Sequence, residues 1–146
     1  MSKFINFLKK AAAWLGGFVM FLWQLPQTVI GLLSLLYYQP MHILCAPNGV
    51  RVCYTKRLAS GAFSLGQVAV VPILWYRQDA RDALLLKKAR HEWRGHGEQS
   101  RLLGWLYLLV IALPSVIHAA LHGLIKPCKG KDYHHFYTEK WAEKWA

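Results

Sequence analysis

Apolar positions in this chain gather into two long runs. Residues 11–38, AAAWLGGFVMFLWQLPQTVIGLLSLLYY, and residues 102–125, LLGWLYLLVIALPSVIHAALHGLI, contain no Lys, Arg, Asp or Glu. Each is long enough to cross a hydrocarbon core of about 30 Å as a helix. Each also carries a proline near its middle, Pro26 and Pro114, which removes a helical donor and bends the chain. Either run is therefore one kinked span or two short helices folded into a re-entrant hairpin.

Between the runs the pattern changes. Pro47-Asn48-Gly49 is a turn signal, and Val50 to Thr55 alternates apolar and polar positions as a half-buried strand does. Ser64 to Val71 is rich in β-branched residues and stops at Pro72, so the two segments predict a small antiparallel pair. Asp79 is placed to cap a helix with Asp82 in its first turn, running through Ala83–Ala89 into His91. In the tail, 132–146, Glu139 and Glu143 share one helical face, as do Trp141 and Trp145. A tryptophan-bearing helix of this kind suits a membrane interface.

These elements predict a mainly α membrane protein with a small β component, folded as one domain of 146 residues. Its parts are an N-terminal membrane segment (1–40), a β-hairpin with a motif-bearing helix (41–101), a second membrane segment (102–126) and a tail helix (127–146). Composition agrees: 55% of residues are hydrophobic and mean hydropathy is +0.19. Lys and Arg number 18 against 7 Asp and Glu, a net charge of +11. Seven tryptophans spread along apolar runs, with no Gly-aromatic or zinc-knuckle pattern between basic residues, direct that charge to anionic lipid headgroups and away from nucleic acid. Cys45, Cys53 and Cys128 form no CxxC pair and are odd in number, which fits a reducing compartment. Lys3, Lys9 and Lys10 precede the first run, where an uncleaved anchor is expected.

Charge also bears on topology. The middle segment holds ten basic residues, from Arg51 to Arg101, and both the N-terminus and the tail are basic too. Single crossings would place one basic side across the membrane, against the positive-inside rule. Hairpins bent at Pro26 and Pro114 keep all three on the cytoplasmic face of a bacterial-type inner membrane.

The sharpest chemical signal is His91-Glu92-Trp93-Arg94-Gly95-His96. In HExxH, histidines four apart on one helical face hold zinc, and the glutamate takes a proton from the attacking water. Here they are five apart. On a regular helix five residues turn through about 500°, leaving the second imidazole about 140° from the first. A π-bulge absorbs one inserted residue, and Gly95 gives backbone latitude beside His96. Two other readings stand: Glu92 and His96 pair on a metal without His91, or all three are boundary residues bonded to Gln99, Tyr133 or backbone. His118 and His122, four apart in an apolar run, suit hydrogen bonds across helices or a polar cavity; His134 and His135 add no spacing of their own. Lys126, Lys129 and Lys131 suit headgroup contact.

The order of motifs resembles a known family. Ala62-Phe63-Ser64-Leu65-Gly66, a Val68–Val71 strand, His-Glu, Gly-His and then Glu139-Lys140-Trp141-Ala142-Glu143 follow the sequence AFxxG, edge strand, HExxH and ExxA(D) of membrane-embedded gluzincins. Those are the heat-shock and CAAX-processing membrane metallopeptidases and the antibiotic-sensing ones. Nearly the full length also resembles small bacterial membrane proteins with patterns LPQxxxGLL, HEYGHxxQSxxLGxLYL and FYTEKWAD. Leu25-Pro26-Gln27, Gln99-Ser100, Leu103 to Leu108 and Phe136 to Ala142 match them. The gluzincin resemblance implies a Zn²⁺ held by His91, His96 and Glu139, with Glu92 as base. Glu143 stands where the family has an Asp that orients a ligand histidine. It further implies hydrolysis of a peptide or membrane protein whose backbone adds to the Gln67–Val71 strand. The alternative is a non-catalytic anchor or partner-binding protein on the same scaffold. For three ligands to meet, residues 102–125 must return the tail to the side that holds the histidines.

Overall fold

The computed structural model describes residues 2–59, 61–77, 83–124 and 136–146. It is mostly helical, with one four-stranded mixed sheet. Helix α1 (Ser2–Trp23) and helix α2 (Leu25–Tyr38) are separated at Gln24, and Pro26 occupies the first turn of α2, where its missing N–H costs nothing. Strands β1 (His42–Cys45), β2 (Arg51–Thr55), β3 (Phe63–Leu65) and β4 (Val68–Pro72) follow, then a single turn, α3 (Leu74–Arg77). Helix α4 (Ala83–Arg90) runs through a π-helical turn (His91–His96) into α5 (Gly97–Leu103). A 3₁₀ turn (Gly104–Leu106) leads to a second π turn (Leu108–Ala112), α6 (Leu113–Leu124) and finally α7 (Tyr137–Glu143).

The sheet corrects the expected antiparallel pair. Strand order is β1-β2-β4-β3, and β2 lies parallel to β4, with Arg51 opposite Val68 and Thr55 opposite Pro72. The Ser64–Val71 stretch is itself broken by a turn at Gly66, whose φ of +61° suits glycine, and so forms the antiparallel pair β3–β4. That turn docks on α2: the Gln67 N–H donates to Thr28 Oγ1 at 3.2 Å. Val68, Val70 and Cys53 pack with Leu35 and Tyr38 of α2 on one face. Val52, Tyr54 and Val71 pack with Trp93 of the motif helix on the other. The site-bearing helix is thus seated on a sheet backed by α2.

The second apolar run also turns elsewhere than expected. Leu84–Leu106 and Leu108–Leu121 meet at 115°. The bend is at Tyr107, seven residues before Pro114. Gly104 makes it possible, with φ +52° and Trp23 so close that a Cβ would fall 2.1 Å from its ring. Polar bonds then tie the bend to the α1–α2 junction. Trp23 Nε1 donates to the Arg101 carbonyl (3.0 Å), Trp105 Nε1 to Leu22 (3.1 Å) and Gln27 Nε2 to Gly104 (2.8 Å), while Ser100 Oγ donates to Gln24 Oε1 (3.0 Å). Pro114 instead continues the helix; it cannot donate to the Val110 carbonyl, which accepts the Tyr137 hydroxyl from α7.

One described helix, over Lys3–Trp23, is by itself long and apolar enough to cross a membrane. The expected caps Asp79 and Asp82, and Cys128, Tyr133, His134, His135 and Lys126 to Lys131, lie outside the described residues.

Candidate metal centre

The π turn resolves the spacing of the histidines. Hydrogen bonds that close over five residues bring His91 and His96 onto one side of the helix, and their ring centroids are 5.0 Å apart with planes at 87°. A widened turn needs external donors for its carbonyls, and two arrive from the sheet side. Asn48 Nδ2, from the β1–β2 turn, donates to the Trp93 carbonyl at 2.9 Å, and Ser64 Oγ of β3 donates to the Glu92 carbonyl at 2.9 Å. The Tyr107 hydroxyl at the bend donates to the Ser64 carbonyl at 2.9 Å, fixing β3 in turn.

The third member comes from the tail. Helix α7 presses so close to the π turn that a Cβ on Gly95 would meet the Ala142 carbonyl oxygen at 2.7 Å. Gln99 Nε2 donates to the Thr138 carbonyl (2.8 Å) and Ser115 Oγ to Thr138 Oγ1 (2.9 Å), which seats α7 against α5 and α6. Glu139 then reaches both imidazoles: its Oε2 is 3.0 Å from His91 Nε2 and 3.6 Å from His96 Nε2. One ligand atom from each of the three lies within 4.8 Å of the others.

A tetrahedral zinc with bonds of about 2.0–2.1 Å requires ligand atoms about 3.3 Å apart. The two distances to Glu139 bracket that value. The wiring behind the ligands also fits. Because the Gln99 amide nitrogen is committed to Thr138, its Oε1 faces His96 and accepts from Nδ1–H at 2.8 Å, so this tautomer leaves Nε2 with a lone pair for metal. The orienting partner of His96 is therefore Gln99, a residue of its own helix. Glu143, expected in an orienting role, is exposed on the cavity wall.

Electrostatics tighten the cluster. Burial alone would push the His96 imidazole down, but the bond to Glu139 and the charges of Glu92 and Glu139 prevail and hold it up at about 9. Burial would likewise raise Glu139, yet its bonds to His91 and His96 keep it well below the usual carboxylate range. Without metal, these opposite shifts favour a pair of His96 imidazolium and Glu139 carboxylate.

Beside the cluster is a cavity of about 730 Å³. Glu92, predicted as the base, lines it with both histidines and Glu139. The remaining wall comes from β3 and the residues just before it, α3, α4, the second π turn with Tyr107, α6 and α7. The strand expected to receive substrate, β4, lies between β2 and β3 and is buried throughout, so it has no free edge; the edge strand bordering the cavity is β3. His118 stands apart from the cluster, stacked on Phe136 with centroids 4.3 Å apart.

Of the expected ligands, His91, His96 and Glu139 converge. Gln99 was legible as a hydrogen-bonding neighbour and part of a Gln-Ser motif; Asn48 was legible only as a turn residue. Tyr107 and Thr138 were legible only as members of the matched motifs, since their partners Ser64, Gln99 and Ser115 are distant in sequence. Comparison with protein-family models, with curated proteins and with solved structures finds no match to this chain.

Proposed function

We propose that the chain is a membrane-embedded, zinc-dependent metallopeptidase of gluzincin type, with His91, His96 and Glu139 as ligands and Glu92 as base. The observation that carries this reading is the convergence of the three ligand atoms within 4.8 Å across a π turn. The membrane part rests on an inverted distribution of polarity. Gln24, Gln27, Gln99 and Ser100 are buried, whereas Trp14 is 76% exposed, Leu36 75% and Leu109 66%, with many apolar neighbours of α1, α2 and α6 also exposed. Such a surface is unfavourable in water and natural in lipid. Net charge +11 and the positive-inside rule favour a cytoplasm-facing site in an inner membrane of bacterial type, against anionic lipid.

Zinc bound at such a site supplies a Lewis acid for the scissile carbonyl and makes water a better nucleophile. The protein's own contribution is positional and protolytic. Gln99 holds His96 in the ligating tautomer; Gly95 lets α7 bring Glu139 close. Glu92, adjacent to His91 and facing the cavity, takes the proton lost by water as the new C–O bond forms and returns it to the amine as C–N breaks. The cavity holds the peptide against β3.

Full-length protein purified in detergent should carry about one zinc per chain. Glu139→Ala should release it, and Glu92→Gln should keep it while abolishing peptide hydrolysis. Absence of zinc, with Glu92→Gln indistinguishable from wild type, would replace the enzyme by the anchor or partner-binding reading.

A further inference from the structure

Lys87 and Lys88 precede His91 and Glu92 by four residues on a continuous helix, so each stands one turn before a site residue on the same face. Both line the cavity. Among the described residues neither has a carboxylate within ion-pair distance. The carboxylates on the same wall are otherwise placed: Glu139 engages the histidines, Glu92 is buried beside them, and Glu143 is exposed on α7. The rest of the lining is largely apolar, including Phe63, Trp75, Ile111 and Val116. The cavity wall thus carries two cations on α4, one turn before the histidine and glutamate cluster.

We infer that Lys87 and Lys88 select substrates bearing a carboxylate two or three residues from the cleaved bond; this rests on the metallopeptidase reading. Helical side chains lean toward the N-terminus, away from the histidines. Four residues of helix rise about 6 Å, and an extended lysine adds about as much again, so the ammonium groups reach roughly 6–12 Å from the cluster. An extended peptide advances about 3.3–3.6 Å per residue, which sets the two-to-three-residue interval. The carboxylate belongs either to an Asp or Glu side chain or to the end of the substrate chain.

Peptide sets with one Glu or Gln at each position around the cleaved bond, and with free or amidated C-termini, test this on the full-length zinc-loaded protein. Acidic peptides should show kcat/KM about fivefold above their glutamine counterparts, the size expected of two exposed charge pairs. Lys87→Glu with Lys88→Glu should invert the preference toward lysine-bearing peptides while zinc content stays unchanged. A free-terminus effect without a side-chain effect identifies the chain end as the source; the converse identifies the side chain. The zinc-loaded Glu92→Gln protein provides a binding readout with labelled peptides that needs no turnover. Hydrolysis with no acidic preference overturns the inference and leaves the metallopeptidase reading standing. Acidic-selective binding that depends on the two lysines, without hydrolysis by the wild type, does the reverse.

Discussion

Gly95 lies against Ala142 at a distance that excludes a side chain: a Cβ would sit 2.7 Å from the Ala142 carbonyl oxygen and 3.0 Å from its Cβ. This contact sets how near α7 comes to the π turn, and therefore whether Glu139 reaches His91 and His96. Gly95→Val should push α7 outward, with an overpacking cost of about 1–3 kcal/mol. Zinc retained after dialysis against a weak chelator should fall well below that of wild type. Retention of full zinc occupancy would show that α7 can move without losing the third ligand.

Gln99 spans two elements, accepting from His96 and donating to the Thr138 carbonyl. Gln99→Leu removes both bonds at once and leaves the His96 tautomer unset. Loss of an outer partner of this kind costs about 10–100-fold in metal affinity. Competition with a fluorescent zinc chelator measures it. An affinity within a factor of two of wild type would remove Gln99 from the account of the site.

The buried ion pair gives the metal-free protein a pH signature. His96 has its folded pKa raised from 6.5 to about 9, so its stabilisation is complete below about 6.5 and is lost as pH rises through about 9. Glu139 is lowered from 4.5, so its stabilisation is present above that pH and lost on acidification. Chelator-treated protein should therefore have its highest Tm between about pH 4.5 and 6.5 and a lower one at pH 9. Zinc should reverse the alkaline trend, because metal and proton compete for His96. A Tm of the metal-free protein that rises from pH 6 to 9 contradicts this pairing.

Gly104 packs against Trp23 three residues before the bend of the second apolar run. Gly104→Ala combines a side chain at φ +52° with a methyl 2.1 Å from the indole ring. The expected loss is about 2–5 kcal/mol. Trp23→Ala in the same chain should recover the steric part and leave the backbone part, so the double variant melts above Gly104→Ala alone. Strict additivity in Tm would mean the two residues do not share the bend.

The grouping of His91, His96 and Glu139 could be read from the chain because an insertion into a known spacing has few structural solutions, and Gly95 marked the one adopted. The bend could not. Proline is a strong local signal, and Pro114 drew the expected kink; the run bends instead at Tyr107, just after Gly104, and the bend is held by Trp23, Gln27 and Ser100 through contacts that span more than seventy residues. Strand β4 was misplaced for a similar reason. Its continuous run of buried residues marks a central strand, but a parallel partner is never adjacent in sequence, and Gly66 split the stretch that periodicity joined.

Arg94 separates the two explanations of why the histidines stand five residues apart. A π turn accommodates one additional residue while leaving the helix on either side in register. Arg94 is exposed in that turn, and its side chain enters no ion pair among the described residues. Deleting it should collapse the π turn to an α turn with histidines four apart, still on one face, and zinc affinity should stay within about threefold. A second residue inserted after Arg94 exceeds what one bulge absorbs, turns His96 by about 100° and should abolish binding. If the deletion abolishes zinc while the insertion keeps it, the wide turn is not an accommodated insertion but the geometry the ligands require.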